Sequence, residues 1–135
     1  MQKILAIYNE QESFNGLAAF LKNVMPGCAV TTAQSGIEGI EKARSDFPDT
    51  ILLDMEIPES EGLEVIERLK SEENTKYIPI ILAGGTTDPK THAKGLELGA
   101  NSFLDKSIDE NVLAAQINAS LRMKQAEDLL RREKE

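Results

Sequence analysis

Five short apolar runs, separated by segments of helical period, constrain this 135-residue chain more than any other feature of it. They are Ile4 to Tyr8, Cys28 to Ala33, Thr50 to Leu53, Ile78 to Ala83 and Asn101 to Leu104, and each has the length and composition of a strand. Runs this continuous belong to strands buried on both faces, so the rhythm predicts βαβαβαβαβα with a parallel sheet. Right-handed crossovers then put helices on both faces and gather every strand's carboxyl end on one edge. In open α/β sheets that edge is where ligands and chemistry collect.

The segments between the runs carry helix signals. Phe14, Leu17, Ala18 and Leu21 recur at i, i+3, i+4 and i+7, and Pro26-Gly27 ends that helix. Ser35 and Glu38 form a capping box for a second helix, whose Ile37, Ile40, Ala43 and Phe47 are expected to face inward until Pro48 stops it. The third helix carries Val65, Ile66 and Leu69. The fourth has Asp88 as N-cap and Pro89 at its first position, runs through Ala93 and Leu96, and closes at Gly99. Ser107 and Glu110 repeat the capping box before the last helix.

A chain of this size holds one domain with a real core. Its net charge of -8 argues against a nucleic-acid or membrane-surface role, because both need clustered Lys and Arg. Cys28 is alone, no secretory segment opens the sequence, and no apolar stretch approaches the roughly 18 residues of a membrane span, so the expectation is a cytoplasmic protein. Cys28 reads as a small buried hydrophobe, and His92, solitary on a polar helix face, as no ligand.

A carboxylate, Asp54, ends the run Ile51-Leu52-Leu53 and precedes the turn Met55-Glu56-Ile57-Pro58. The topology brings three more groups to its edge: Tyr8-Asn9-Glu10 after the first strand, Gly84-Gly85-Thr86 after the fourth, and Lys106 after the fifth. Asp54, Lys106 and Asn9 are expected to share one pocket.

With those positions, with Pro48-Asp49 before Asp54, Pro58 and Gly62 after it, Pro79-Ile80-Ile81, and Gly99-Ala100 before Lys106, the chain resembles the response-regulator receiver family of two-component phosphorelays. The resemblance spans residues 1 to 121 and implies a flavodoxin-like (βα)5 doubly wound parallel sheet of strand order 2-1-3-4-5. It further implies that Asp54 accepts a phosphoryl group from a histidine kinase or phosphotransfer protein, that Lys106 pairs with the phosphoryl oxygens, and that the domain signals to an output or sensor domain. No enzymatic activity beyond self-phosphorylation and dephosphorylation is implied, and a homodimer is left open.

Three departures bear on mechanism. The family holds Mg²⁺ with an acidic pair after strand one, the acceptor Asp, and a backbone carbonyl two residues beyond it. Here the pair is replaced by Tyr8 and Asn9, so the ligand set becomes Asp54, Asn9 and the Glu56 carbonyl, with Glu10 one residue late, and Mg²⁺ is expected to bind weakly or not at all. Tyr8 reads either as strand-end packing with its hydroxyl in water or as a block to the site. The family's Ser or Thr after strand four is replaced by Gly84, followed by Gly85 and Thr86, while Phe103 fills the position of the switch aromatic. Ser107 stands where the family has Pro after the Lys.

A rival phosphate-loop reading of Gly84 to Thr91 fails at Pro89, which lacks the N–H and flexibility that close approach of a phosphate demands. An α/β-hydrolase reading fails for want of a GxSxG elbow. Residues 122–135 are strong helix formers without a stop signal, and Met123, Ala126 and Leu130 follow a 3-4 spacing over less than two heptads. They read as a helical extension, solvated in the simplest case, leading toward a downstream domain. Two functions follow: a phosphorylatable switch with a weakened metal site, or a phosphorylation-independent pseudo-receiver that works as an interaction module.

Overall fold

The computed structural model describes residues 2–8, 17–55, 59–84, 89–105 and 109–134. Along the chain it forms β1 (Gln2–Ile7), α1 (Leu17–Val24), β2 (Cys28–Ala33), α2 (Gly36–Asp46), β3 (Thr50–Asp54), α3 (Glu59–Ser71), β4 (Ile80–Gly84), α4 (Pro89–Glu97), β5 (Ser102–Asp105) and α5 (Glu110–Lys134). The strands build one parallel sheet in the order β2-β1-β3-β4-β5, as expected of the flavodoxin-like fold. β4 starts two residues later than the apolar run, beyond Pro79, which has no N–H to give a ladder.

Strand alternation divides the core in two. Leu5, Ile7, Ile51, Leu53, Ile80 and Leu82 pack with Ile40, Ala43, Val65, Ile66 and Leu69 on the side of α2 and α3. Ile4, Ala6, Tyr8, Leu52, Ile81, Ala83 and Leu104 pack with Leu21, Leu113, Ile117 and Leu121 on the side of α1 and α5. Burial of both faces explains why β3 and β4 read as unbroken apolar runs. Asp49 joins β1 to the start of β3: its N–H donates to the Lys3 carbonyl at 2.8 Å and its carboxylate accepts from the Lys3 N–H at 2.8 Å. Asn101 does the same between β4 and β5, through the N–H and carbonyl of Ile80.

Several local expectations are corrected. In α2, Ile40 and Ala43 are buried as expected, but Ile37 is 67% and Phe47 57% exposed. The inward face is completed by Gly36 and by Gly39, which lets α2 approach Ile7 of β1, and Phe47 is the C-cap, turned outward at φ 48°. The Ser35 hydroxyl does accept from the Glu38 N–H at 3.2 Å, while the Glu38 carboxylate reaches the N–H of Gln34. The buried face of α4 is Thr91 and Gly95, with Leu96 45% exposed. At the start of α5 the Asp109 carboxylate accepts from the Asn111 N–H at 2.8 Å and its carbonyl from the Leu113 N–H. Ser107, Asp88 and Phe14 lie outside the described residues.

One side of the distal part of α5 is seated on the domain. Beyond Leu121, α5 continues to Lys134; the Arg131 guanidinium lies 4.0 Å from the ring centroid of Tyr77, and the Asn101 amide reaches the Met123 sulfur. Lys124, its side chain 14% exposed, bonds both carboxylate oxygens of Asp128 at 2.7 Å, and Asp128 also pairs with Arg131. Leu129 and Leu130 remain outside, more than half exposed.

Candidate functional site

Register fixes the composition of the sheet's carboxyl edge. Ile7 stands opposite Leu53, Asp54 opposite Ala83, and Gly84 opposite Asp105. The ends of β1, β3, β4 and β5 therefore meet side by side, with Asp54 at the tip of the central strand. The Tyr8 N–H donates to the Ala33 carbonyl at 3.0 Å and the Met55 N–H to the Ala83 carbonyl at 2.8 Å, which keeps the backbone strand-like one residue past β1 and β3.

Asp54 is 1% exposed. It follows Leu52 by two residues, so its side chain takes the α1 and α5 side of the sheet, the face that Leu52 packs on. Tyr8 is also 1% exposed and belongs to the apolar cluster of that same face, with Ala6, Leu52, Ala83 and Leu104. The reading that leaves its hydroxyl in water is thereby excluded.

Gly84 is buried at the end of β4, and Phe103 is half-buried against the α3 side of the core. The structure adds a residue that sequence reasoning set aside. His92 of α4 is half-buried, its ring centroid 3.3 Å from that of Phe103 with the planes 52° apart, and its Nε2 is buried without a hydrogen-bond partner. The contact joins a helix to a strand, so no local spacing announces it. Cys28 is half-buried beside the α1 cluster; burial, then the Asp49 charge, push its thiol up.

Asn9, Glu10, Glu56, Gly85, Thr86, Lys106 and Ser107 lie outside the described residues. Two of them follow described ends directly: Asn9 succeeds Tyr8, and Lys106 succeeds Asp105, the residue opposite Gly84. Among the described residues no group of three His, Cys, Asp or Glu side chains is placed to hold a metal ion. The expected oxygen donors are hard enough for Mg²⁺, and the β1 neighbour of Asp54 is a buried aromatic. Among the described residues no helix is long and apolar enough to cross a membrane.

Comparison with known proteins agrees with this architecture. A family model described as the response regulator receiver domain matches residues 4–118. The response regulator PleD of Caulobacter vibrioides is 37% identical over 102 residues, 76% of this chain and 22% of PleD. The response regulator ArlR of Staphylococcus aureus is 32% identical over 132 residues, 96% of this chain and 57% of ArlR. The chain thus spans only part of the length of either relative. Among solved structures, a CheY-like response regulator receiver domain protein from Methanospirillum hungatei superposes with a TM-score of 0.81 at 22% identity, over 94% of this chain and 98% of that one, a likeness of fold.

Proposed function

This chain belongs to the response-regulator receiver family of two-component signalling, and we propose that it accepts a phosphoryl group on Asp54 through a weakened Mg²⁺ site. The observation that carries the reading is the position of Asp54, a buried carboxylate at the tip of the central strand where four strand ends converge. In the step itself an Asp54 carboxylate oxygen bonds to phosphorus, the phosphorus–nitrogen bond of a phosphohistidine breaks, and the imidazole keeps the electron pair. Catalysis of such a transfer is mostly positioning and neutralisation of the phosphate oxygens. Lys106, one residue beyond the β5 end opposite Gly84, is the cation for that neutralisation. Mg²⁺ would supply further neutralisation from the Asp54 carboxylate, the Asn9 amide oxygen and the Glu56 carbonyl; Glu10 is a weaker candidate.

The donor is a histidine kinase or phosphotransfer protein, and residues 1–121 form the receiver unit, with 122–135 leading to an output domain. The relatives PleD and ArlR, both longer than this chain, support that arrangement. A pseudo-receiver that acts as an interaction module is the second reading, favoured by Gly84, which has no hydroxyl to draw a loop onto a phosphoryl oxygen. Amide-shift mapping with beryllofluoride and Mg²⁺ separates the two. The proposal expects shifts at Asp54, Met55 and Ala83 that vanish in Asp54→Asn, with little change in α4; a spectrum unmoved by beryllofluoride supports the pseudo-receiver.

A further inference from the structure

We infer that the ring of Tyr8 fills the space beside Asp54 that a β1 acidic ligand and a hydrated cation need, making Tyr8 the residue that sets this site against divalent metals. The inference rests on reading Asp54 as the functional carboxylate of the edge. Ile7 and Leu53 are paired, so Tyr8 and Asp54 are the next residues of adjacent parallel strands, whose backbones run about 4.8 Å apart. Strand alternation gives both side chains the same face, and each is 1% exposed. Tyr8 belongs there to the apolar cluster of Ala6, Leu52, Ala83 and Leu104, so the side of Asp54 toward β1 is occupied.

Mg²⁺ sheds its waters reluctantly and usually keeps several of them in its coordination shell. A ring in that volume opposes the ion in a way that restoring charge elsewhere does not undo. Lost charge and occupied space therefore predict different variants. If charge alone weakens the site, Asn9→Asp repairs it with Tyr8 in place. If the ring does, Asn9→Asp gains little until Tyr8 is made smaller.

The test is Mg²⁺ titration calorimetry on the full chain without phosphodonor, with Mn²⁺ broadening of the Met55 and Ala83 amide signals to locate the ion. Asn9→Asp should tighten Mg²⁺ by less than about threefold, and adding Tyr8→Val on that background should tighten it by about tenfold more, the scale on which neighbours of a metal ligand act. A gain above threefold from Asn9→Asp alone overturns the inference, as does a folded double variant that binds no better than Asn9→Asp. Should the double variant lose its cooperative melt, the single variant still decides. Because no phosphodonor is present, a failure of Asp54 to be phosphorylated would count against the proposed function and leave these affinities to judge Tyr8.

Discussion

The seat of the α5 extension yields the most quantitative prediction. The Arg131 guanidinium is 4.0 Å from the centre of the Tyr77 ring, well inside the ~6 Å reach of a cation–π contact. Tyr77 is 40% exposed and the Arg131 side chain 35%, between the exposed limit of about 0.5 kcal/mol and the desolvated limit of about 2 kcal/mol, so the pair should contribute about 1 kcal/mol. The perturbation is a double-mutant cycle of Tyr77→Ala and Arg131→Ala. Because the distal turns can open while the core stays folded, the readout is native-state hydrogen exchange of amides 124–134. A coupling of 1 kcal/mol corresponds to about a fivefold difference in protection beyond the product of the single effects. Arg131→Ala alone should cost slightly more than the coupling, since it also releases Asp128, a half-exposed pair of modest strength. Tyr77→Phe should behave as the unmodified chain. A coupling below about 0.3 kcal/mol, the ordinary error of additivity, would refute the seat and return residues 122–134 to a solvated spacer.

Gly39→Ala should destabilise the fold by about 1 kcal/mol in urea unfolding. Its Cβ would lie 2.4 Å and 2.7 Å from Cδ1 and Cγ1 of the buried Ile7, and the overpacking of about 1–3 kcal/mol outweighs the ~1 kcal/mol gain in helix propensity. Glu38 and Glu72 are held below the ordinary carboxylate value of 4.5, Glu38 chiefly by the Gln34 N–H and Glu72 by Arg44. Their contribution is present above pH 4.5 and is lost as pH falls through the lowered folded values, so Glu38→Gln with Glu72→Gln should flatten the acid limb of a stability profile. A profile unchanged below pH 4.5 would contradict this. Gly84→Thr should spread beryllofluoride-induced shifts into α4 and to Phe103, because a charge-assisted hydrogen bond contributes about 1.5–3 kcal/mol, comparable with the gap between receiver states. Large shifts there in the unmodified chain would sink the idea of a muted switch.

Strand order and the position of Asp54 were legible because both depend on long-range regularities: apolar runs buried on two faces, and a charge ending one of them. Misreadings fell where a local pattern competes with tertiary packing. Phe47 completes the inward stripe of α2 by spacing, yet the helix ends in a left-handed residue that turns it outward, and Gly39 takes the close approach. The full burial of Tyr8 and the His92–Phe103 contact were hidden for another reason: burial at a strand end and contacts between a helix and a strand are set by partners far apart in sequence. The seat of α5 on Tyr77 joins positions 54 residues apart and has no periodic signature either.

The central claim, that Asp54 is a phosphoryl acceptor, is tested most directly by the intact mass of the full chain after incubation with phosphoramidate and Mg²⁺. The account predicts a gain of one phosphoryl group, dependent on Mg²⁺ at concentrations well above those an intact acidic pair would require, and absent in Asp54→Asn. An unmodified mass at every Mg²⁺ concentration, or an equal gain in Asp54→Asn, would contradict it.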